Sequence, residues 1–309
     1  MILTVTLNPA VDKTYTAGEL ITGHVNRMRT VMSIAGGKGI NVTKVLRQYG
    51  YPVCATGFLG GYAGNFIEDY LQKQQVMCQF VRVDGETRSN MNILADNGYV
   101  TEILEPGPAI GEEKLQQFLD KYEKLLSNCE LVIMSGSVES GLPEDIYAVL
   151  IEKARMKGIK TMLDTNGESL RKGIEAKPYL IKPNQKELEY IVGHKLVNRE
   201  AVVDAALSLH ADGVAHVVVS MGKKGVLSVD GGKVFFAKAG KVSVLNTVGC
   251  GDSVVASYAM SIIEKERNEE ALKRAAAISS ANATTLISGD IPKDTAEELL
   301  SQITVERLR

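Results

Sequence analysis

The chain has 309 residues, of which 45% are hydrophobic and 23% are charged, the proportions of an ordinary globular protein. These values exclude a disordered chain, a collagen-like repeat and a long coiled coil. The 35 basic and 37 acidic residues give a formal net charge of −2, so the chain lacks the basic excess that nucleic-acid binding requires. A small anionic ligand is still compatible with this charge, because it needs only a local positive site.

No apolar stretch approaches the roughly 18 residues of a membrane span, and the longest run, residues 254–263, is interrupted by two serines. The first residues lack the basic segment and cleavage site of a secretory signal and are typical of a strand. Four scattered cysteines without CxxC spacing indicate reduced thiols and neither a zinc site nor a disulfide framework. We therefore expect a cytoplasmic protein with no membrane partner.

The first hundred residues combine core strands and helices with two segments of another kind. Apolar runs predict strands over residues 2–7, 53–58 and 79–83, and helices over residues 40–49 and 63–74. Residues 25–34 are strand-like but partly polar, and residues 91–104 alternate around Asn97-Gly98, which favours a hairpin with a type I′ turn. We expect these two segments to form a small antiparallel lid, within about residues 12–35 and 89–105.

From about residue 110, helix and strand patterns alternate, which is typical of a parallel sheet covered by helices. Helices are predicted over residues 115–126, 143–157, from 185, over 199–210 and over 253–264; strands are predicted over residues 131–134, 161–163, 179–181, 217–219 and 241–245. The helix over residues 143–157 is expected to have Pro143 in its first turn. No linker, repeat or low-complexity tract is present, so we expect one α/β domain over residues 1–309, with a lid.

The most informative segment is NTVGCGDS, residues 246–253. Gly249 and Gly251 allow backbone N–H groups to point to one place at a helix N-terminus, where the helix dipole also attracts an anion. Asp252 would lie in the first helical turn. A carboxylate beside an anion site suits phosphoryl transfer, because it takes the proton of an alcohol while the amides stabilise the moving phosphoryl group. On spacing alone, a capped helix with an acidic first turn explains the segment equally well.

A second glycine-rich segment, AGGKGINV at residues 35–42, also leads into a helix. It matches neither GxxxxGK[ST] nor GxGxxG, so it predicts neither a Walker A loop nor a dinucleotide site. Its glycines allow a ligand to approach the backbone, while Lys38 and Asn41 add a cation and a side chain that both donates and accepts hydrogen bonds. Considered alone, it is equally compatible with a glycine-rich turn carrying a solvated lysine.

Taken together, GGKGxN at residues 36–41, KPNxxEL at 182–188 and TxGxGDS at 247–253 resemble the ribokinase-like (PfkB) sugar kinases, in order and over the full chain. TLNPAVD at residues 6–12, VNR at 25–27, GETR at 85–88 and SGS at 135–137 are similar to the branch that holds 1-phosphofructokinase and tagatose-6-phosphate kinase. The resemblance implies a three-layer α/β/α fold with a mainly parallel central sheet and a small antiparallel β lid. It also implies an enzyme that uses ATP and Mg²⁺ to phosphorylate a ketohexose phosphate.

The resemblance further implies a role for each matching residue. The catalytic base would be Asp252, in an anion hole of Gly249, Cys250 and Gly251. Sugar-binding positions would be Asp12, Gly36, Gly37, Lys38 and Asn41, with Arg88, Asn90, Arg27 and Ser137 around the sugar phosphate. Nucleotide-binding positions would be Lys182, Asn184, Ser220, Gly222, Gly225 and Asn282, and Glu187 would be the acidic position associated with Mg²⁺. The residue types agree with this chemistry, because an Arg fork suits a phosphate monoester and a carboxylate suits sugar hydroxyls.

Two residues depart from the family's pattern. Asn246 stands where the family commonly has Asp, which argues against a monovalent-cation site near the loop. Cys250 stands where the family commonly has Ala. A thiol at a helix N-terminus can have a lowered pKa, so we hypothesise that thiol reagents inactivate the protein at Cys250 and that MgATP protects it.

The expected reaction converts fructose 1-phosphate to fructose 1,6-bisphosphate. Tagatose 6-phosphate is the alternative substrate, because each sugar has a primary hydroxyl at one end and a phosphate at the other. A catalytically silent sensor of sugar phosphate or nucleotide on the same fold is a further alternative, although a sensor does not need a carboxylate at Asp252. A dehydrogenase is disfavoured by the missing GxGxxG.

The resemblance also implies a homodimer in which the lids of two chains clasp each other. Apolar residues on the predicted lid strands agree with this, since an isolated lid would expose them to water: Val25, Met28, Val31 and Ile93. A homodimer through the lid is therefore expected.

Overall fold

The computed structural model describes residues 1–309 as 15 strands and ten α-helices. The strands are β1 (Ile2–Thr6), β2 (Ala10–Ala17), β3 (Thr30–Gly36), β4 (Val53–Leu59), β5 (Met77–Cys78), β6 (Val81–Arg82), β7 (Ser89–Ala95), β8 (Val100–Leu104), β9 (Leu131–Ser135), β10 (Lys160–Asp164), β11 (Leu180–Ile181), β12 (His216–Ser220), β13 (Val226–Asp230), β14 (Lys233–Ala237) and β15 (Val305–Arg307). The helices are α1 (Lys38–Gln48), α2 (Gly61–Lys73), α3 (Glu112–Leu126), α4 (Ile146–Met156), α5 (Gly167–Glu175), α6 (Gln185–Val192), α7 (Arg199–Ala211), α8 (Cys250–Glu264), α9 (Asn268–Asn282) and α10 (Lys293–Gln302). None of these helices has both the length and the apolar character that crossing a membrane requires.

The larger sheet has eleven strands. Ten lie in the order β15-β14-β13-β12-β11-β10-β9-β1-β4-β5, and β6 also pairs with β4. The pairs from β12 through to β5, and the β4-β6 pair, are parallel, whereas β12-β13, β13-β14 and β14-β15 are antiparallel. The predicted mainly parallel central sheet is therefore confirmed.

Helices cover both faces of this sheet. Successive strand residues point to opposite faces, so Leu3 of β1 packs in one core while its neighbour Ile2 packs in the other. One core includes Tyr122 of α3 and Leu150 of α4, and the other includes Val45 of α1 together with apolar residues of α8, α9 and α10. The result is the three-layer α/β/α arrangement that the resemblance implies.

The smaller sheet, in the order β3-β2-β7-β8, corresponds to the predicted lid. Strands β2 and β3 pair antiparallel, as do β7 and β8, while the central pair β2-β7 is parallel. The central strand β2 was not recognised from the sequence, because it mixes buried and half-buried positions without regular alternation. It carries Asp12, so this sheet brings a predicted sugar-binding residue to the site.

Two features of the lid differ from the prediction. Residues 25–29 are not a strand, because the side chain of Asn26 bonds both the N–H and the carbonyl of Ile21 and holds a turn there. The hairpin between β7 and β8 closes with the N–H of Gly98 donating to Ala95 O, and only Gly98 has a positive φ. A type I′ turn would require Asn97 in that conformation too, so the prediction of this turn type is wrong.

Other boundaries also differ. The strand predicted over residues 79–83 is reduced to the two-residue strand β6, and the equally short β5 lies just before that range. Pro143 precedes α4 and accepts a hydrogen bond from Ile146 N–H, so it does not lie in the first turn. Residues 241–245 form no strand, because Val242 and Val244 line a cavity instead of pairing with β14. The sequence patterns do not predict helices α5, α9 and α10 or strands β13, β14 and β15.

Candidate active site

The predicted site residues gather at the carboxyl ends of the parallel strands, the edge at which open α/β sheets bind ligands. Strand β10 ends at Asp164, and Lys182 follows β11 directly. The loops that precede α1, α6 and α8 approach the same edge, so the three glycine- or proline-containing motifs of the sequence meet there.

Asp252 lies in the first turn of α8, whose cap Gly249 has a φ of 85°. This left-handed conformation favours glycine and allows the loop to turn into the helix. The Asp252 side chain is buried and accepts a hydrogen bond from Asn41 Nδ2 at 2.8 Å. The N–H groups of Gly251 and Asp252 have no acceptor within the protein, as expected for the first turn of a helix. A carboxylate and open amides therefore share one helix start.

Burial raises the pKa of Asp252 to about 6, and the nearby charge of Asp164 contributes to the rise. Lys38, Lys182 and the hydrogen bond from Asn41 oppose it. A carboxyl group with this pKa is still mostly ionised at neutral pH and is a better proton acceptor than an ordinary aspartate. These properties suit a general base.

Two lysines and two carboxylates lie beside Asp252. Asp164 Oδ1 is 3.3 Å from the Nζ atoms of both Lys38 and Lys182, and Lys38 Nζ is 3.9 Å from Glu187 Oε1. Burial opposes the ionisation of Asp164, but the two ammonium groups outweigh burial and lower its pKa. Burial also opposes the charge on Lys38, but the neighbouring carboxylates outweigh it and raise its pKa. Lys38 is therefore protonated at neutral pH and provides a positive charge next to the open amides.

Asp164 is a site residue that the sequence analysis missed. It is almost completely buried, and Ser135 Oγ donates to its Oδ2 at 3.4 Å. The available signal was a carboxylate directly after the apolar run at residues 161–163, which was predicted as a strand. A charged residue at the carboxyl end of a buried parallel strand lies where ligands bind, so its position along the strand should have identified it.

The sugar-side residues also meet. Asp12 is buried and accepts hydrogen bonds from Asn90 Nδ2 at 3.0 Å and from the backbone of Gly37. Burial raises its pKa, while the charges of Lys44 and Arg88 and its hydrogen bonds oppose the rise. A Cβ atom on Gly36 would lie 2.0 Å from Asp12 Oδ2, so only glycine leaves room for this carboxylate.

Three polar atoms next to Asp12 have no hydrogen-bond partner. They are Arg88 Nε, Asn8 Oδ1 and Asn90 Oδ1, and all are buried. Arg88 donates to Asn8 O at 3.2 Å, and Asn8 Nδ2 donates to Ser137 Oγ at 3.2 Å, which links the group into one pocket wall. Buried polar atoms without partners are rare in folded proteins. Their grouping therefore indicates a place for a polar ligand.

Arg27 does not join this group. It lies exposed in the loop between β2 and β3, without a hydrogen bond or ion pair to other residues of the chain. Its predicted contact with a sugar phosphate therefore has no support within a single chain.

A cavity of about 570 Å³ lies beside the anion loop, the segment of residues 246–251 that leads into α8. It is lined by four of the predicted nucleotide-binding residues, Asn184, Ser220, Gly222 and Gly225, and by small apolar side chains such as Val226, Val242 and Ala283. Cys250 and Gly251 also line it, so the cavity reaches the start of α8. Apolar walls with a few polar groups suit a planar base, with its phosphates directed to the open amides.

Asn282 and Asn246 are buried behind the anion loop instead of lining the cavity. Asn282 Nδ2 donates to Val248 O at 2.9 Å, and its Oδ1 accepts from Gly289 N–H at 3.0 Å. Asn246 Nδ2 donates to Leu286 O at 3.1 Å, while its Oδ1 accepts from Val248 N–H at 3.0 Å. Both amides thus brace the loop against residues 285–289.

Cys250 is partly buried at the end of the cavity. Burial raises the pKa of its thiol, although the hydrogen bond from Asn282 opposes the rise. The sequence-based hypothesis of a lowered pKa is therefore wrong, because the loss of solvation at this position outweighs the helix N-terminus. At neutral pH the side chain is therefore the protonated thiol, which is less reactive than the thiolate.

Glu187 takes part in a capping box at the start of α6. Its Oε2 accepts from Asn184 N–H at 2.8 Å, and its own N–H donates to Asn184 Oδ1 at 2.9 Å. Its Oε1 accepts no hydrogen bond. No group of three or more side chains could hold a metal ion by itself. One free carboxylate oxygen fits a Mg²⁺ ion held mainly by water and phosphate oxygens.

Comparisons with known proteins agree with this geometry. Residues 4–294 match the family model described as pfkB family carbohydrate kinase. The chain belongs to this family. A tagatose-6-phosphate kinase of Staphylococcus epidermidis is 38% identical over 308 residues, which cover 99% of this chain and 99% of that protein.

Solved structures of similar sequence have the same fold. A possible 1-phosphofructokinase from Thermotoga maritima is 30% identical, with a TM-score of 0.90 over 100% of both chains. Phosphofructokinase-2 from Escherichia coli is 27% identical, with a TM-score of 0.90 over 97% of this chain and 98% of that one. The resemblance and the ribokinase-like fold are thereby confirmed.

Proposed function

We propose that the protein transfers the terminal phosphoryl group of ATP to the free primary hydroxyl of a ketohexose phosphate, and that fructose 1-phosphate is the sugar. The observation that carries this proposal is the position of Asp252. A buried carboxylate with a pKa of about 6 lies at a helix start with open amides. Asn41 links it to the sugar-side loop, and the cavity begins at the adjacent residues Cys250 and Gly251.

The chemistry follows from these positions. Asp252 accepts the proton of the sugar hydroxyl as that oxygen forms a bond to the terminal phosphorus of ATP, while the bond from this phosphorus to the bridging oxygen breaks and ADP leaves. Asn41 orients the carboxylate. The open amides at the start of α8, with Lys38 and Lys182, stabilise the negative charge of the phosphoryl group during transfer. Most of the rate enhancement would come from this positioning and electrostatic stabilisation.

Mg²⁺ would be held by the free Oε1 of Glu187. When bound, it would screen the charge of the triphosphate. The ammonium group of Lys38 lies 3.9 Å from that oxygen. The capping box fixes the other oxygen, so Glu187 has one defined direction in which to accept a ligand.

Arg88 and the unpaired polar atoms beside it would bind the phosphate that the sugar already carries. The guanidinium is partly buried next to Asn8, a setting that favours an anion accepting two hydrogen bonds from it. Replacing it in Arg88→Ala should raise KM for the phosphorylated sugar by at least tenfold, measured by initial rates. An equal rise in KM for free fructose would contradict the phosphate contact.

Tagatose 6-phosphate is the second candidate substrate. The observation that favours it is the 38% identity to a protein named tagatose-6-phosphate kinase. The same base, anion loop and phosphate pocket would serve either sugar.

The deciding experiment is an ADP-release assay with MgATP. Fructose 1-phosphate, tagatose 6-phosphate, fructose 6-phosphate and free fructose are offered separately, and kcat/KM is compared. A clear preference for fructose 1-phosphate supports the proposal, whereas a preference for tagatose 6-phosphate replaces the substrate and keeps every residue role. Sugar-phosphate binding by calorimetry without turnover would instead support a silent sensor and overturn the kinase.

We also propose a cytoplasmic homodimer that forms through the lid. Apolar side chains on the lid are exposed in the single chain, namely Val25, Val31, Ile103 and Leu104. Ile93, which was expected among them, is buried instead, because β7 lies between β2 and β8 and turns this residue inward. Covering the exposed group would remove an apolar patch from water.

A further inference from the structure

Lys44 is a fully buried lysine that the proposed mechanism does not use. It lies in the second turn of α1, and its side chain is 4% exposed. Its Nζ donates to Ala35 O at 2.9 Å and to Ser288 O at 2.7 Å. No carboxylate oxygen lies within 4.0 Å of it, so the ammonium is held by two neutral carbonyl groups.

The two carbonyls belong to opposite sides of the site. Ala35 is in β3 directly before Gly36, the glycine that makes room for Asp12. Ser288 precedes Gly289, whose N–H bonds Asn282, the residue that braces the anion loop. The hydroxyl of Ser288 also donates to Asn41 Oδ1 at 3.3 Å, and Asn41 holds Asp252.

This ammonium is costly to the fold. Burial lowers the pKa of Lys44 to about 8, although Asp12, Asp252 and Asp290 counteract burial. An apolar side chain would fill the interior at a lower cost, because a buried cation without a paired anion loses its solvation. The cation lies where the sugar-binding strand meets the loop behind the anion site, which points to a role in aligning them.

We propose that Lys44 is a positioning residue that holds the end of β3 and residues 285–289 at a fixed separation, so that the sugar hydroxyl, Asp252 and the anion loop are aligned. This inference rests on the proposed function. It assigns Lys44 no contact with substrate. A misplacement of about 1 Å at a reacting centre can cost on the order of a hundredfold in rate, which sets the size of effect to expect.

The test compares Lys44→Met and Lys44→Arg with Arg47→Met. Arg47 lies on the same helix and, like Lys44, lines a second cavity of about 430 Å³ beside residues 287–290. Its side chain donates instead to Gln74 O and to Gln75 Oε1, away from the site. Lys44→Met should lower kcat by about 10- to 100-fold, and Lys44→Arg should recover most of the loss. Arg47→Met should leave kcat unchanged. The Kd for ATP, measured by calorimetry, should not change in any variant, because Lys44 does not line the nucleotide cavity.

Two outcomes would overturn the proposal. One is a Lys44→Met enzyme with wild-type kcat. The other is a fall in kcat equal to the fall in the fraction of molecules that bind ATP in calorimetry, which would show that the variant only loses folded protein. If Lys44→Met does not fold, Lys44→Gln, which keeps two N–H donors, replaces it in the comparison.

An independent readout separates this proposal from the proposed function. If the wild-type protein phosphorylates none of the sugars, the proposed function fails, but amide hydrogen exchange still tests the alignment. Faster exchange at both residues 35–39 and 285–289 in Lys44→Met, and not in Arg47→Met, would support the proposal that Lys44 holds these two segments together. Unchanged exchange in both segments would contradict it.

Discussion

At the residue scale, Asp252 combines two opposing effects. Its ionised form is the base that phosphoryl transfer needs, yet the folded protein disfavours that form because burial raises the pKa to about 6 from 3.8. Activity and stability should therefore respond in opposite directions when the charge is removed.

Replacing the carboxylate in Asp252→Asn should lower kcat by about a hundredfold or more, with little change in the Kd for ATP. The same change should raise the stability at pH 7 by roughly 1 to 3 kcal/mol, since a rise of about two pKa units corresponds to nearly 3 kcal/mol. Initial rates and thermal denaturation would measure the two effects. Asp294→Asn, in the exposed first turn of α10, is the control: it should leave kcat unchanged and should not raise the stability, because it removes a charge that the helix N-terminus favours.

The pH dependence of activity follows from the same pKa. Protonation of Asp252 removes the base, so kcat/KM for the sugar should fall about tenfold per pH unit below pH 6 and level off above it. The stability of the folded protein changes with pH in the opposite direction to activity. A folded-state pKa above the unfolded value makes Asp252 progressively destabilising as the pH rises from about 4 to above 6. The stability advantage of Asp252→Asn should disappear at pH 4, and an advantage that persists there would contradict burial as its cause.

At the element scale, the starts of α1 and α8 face each other across Asn41 and Asp252. Each helix start contains a glycine that other residues could not replace, either because its φ is positive or because a side chain would collide with a neighbour. Gly37 has a φ of 98° and Gly249 a φ of 85°, while Gly36 is needed because of its contact with Asp12. The glycines that the sequence shows as motifs are thus explained by backbone shape and close packing.

Gly36→Ala should displace the carboxylate of Asp12, because the added Cβ would lie 2.0 Å from its Oδ2. We expect KM for the sugar to rise at least tenfold, while the Kd for ATP stays the same. Gly18→Ala, at the other end of the same lid hairpin, is the control, since its Cβ would meet nothing within 4 Å. Equal kinetics in the two variants would show that Asp12 does not hold the sugar.

At the scale of the whole molecule, the lid sheet presents apolar residues that the rest of the chain does not cover. Val31 in β3 is 57% exposed and Leu104 in β8 is 60% exposed. If these faces pair between two chains, a charge placed on one of them should separate the dimer, because a buried unpaired charge is costly.

Light scattering at micromolar concentration should therefore give a dimer for the wild-type protein and a monomer for Val31→Glu. Val197→Glu, at a residue that is 87% exposed in the loop between α6 and α7, should remain a dimer. A monomeric wild-type protein would refute the clasp, and a Val31→Glu variant that stays dimeric would place the interface elsewhere.

Most of the main sheet could be predicted from local patterns, because buried parallel strands are continuous apolar runs and their helices carry periodic apolar faces. It also determined the motif residues around Asp252 and Lys38, since their glycines and charges leave a readable local pattern. It did not reveal helices α5, α9 and α10 or strands β2, β13, β14 and β15. The run at residues 241–245 was misleading, because its apolar alternation lines a cavity and not a sheet.

The contacts between residues that are distant in the sequence become visible only in the folded chain. Asp164 pairs with Lys38, 126 positions away in the chain, and with Lys182, 18 positions away. Lys44 joins Ala35 to Ser288, which is 244 positions from Lys44. No local pattern encodes such contacts, since they depend on how strands and loops far apart in sequence meet at one sheet edge. The pKa of Cys250 was decided in the same way, because the burial that raises it comes from residues packed against the loop, not from the helix start that the sequence shows.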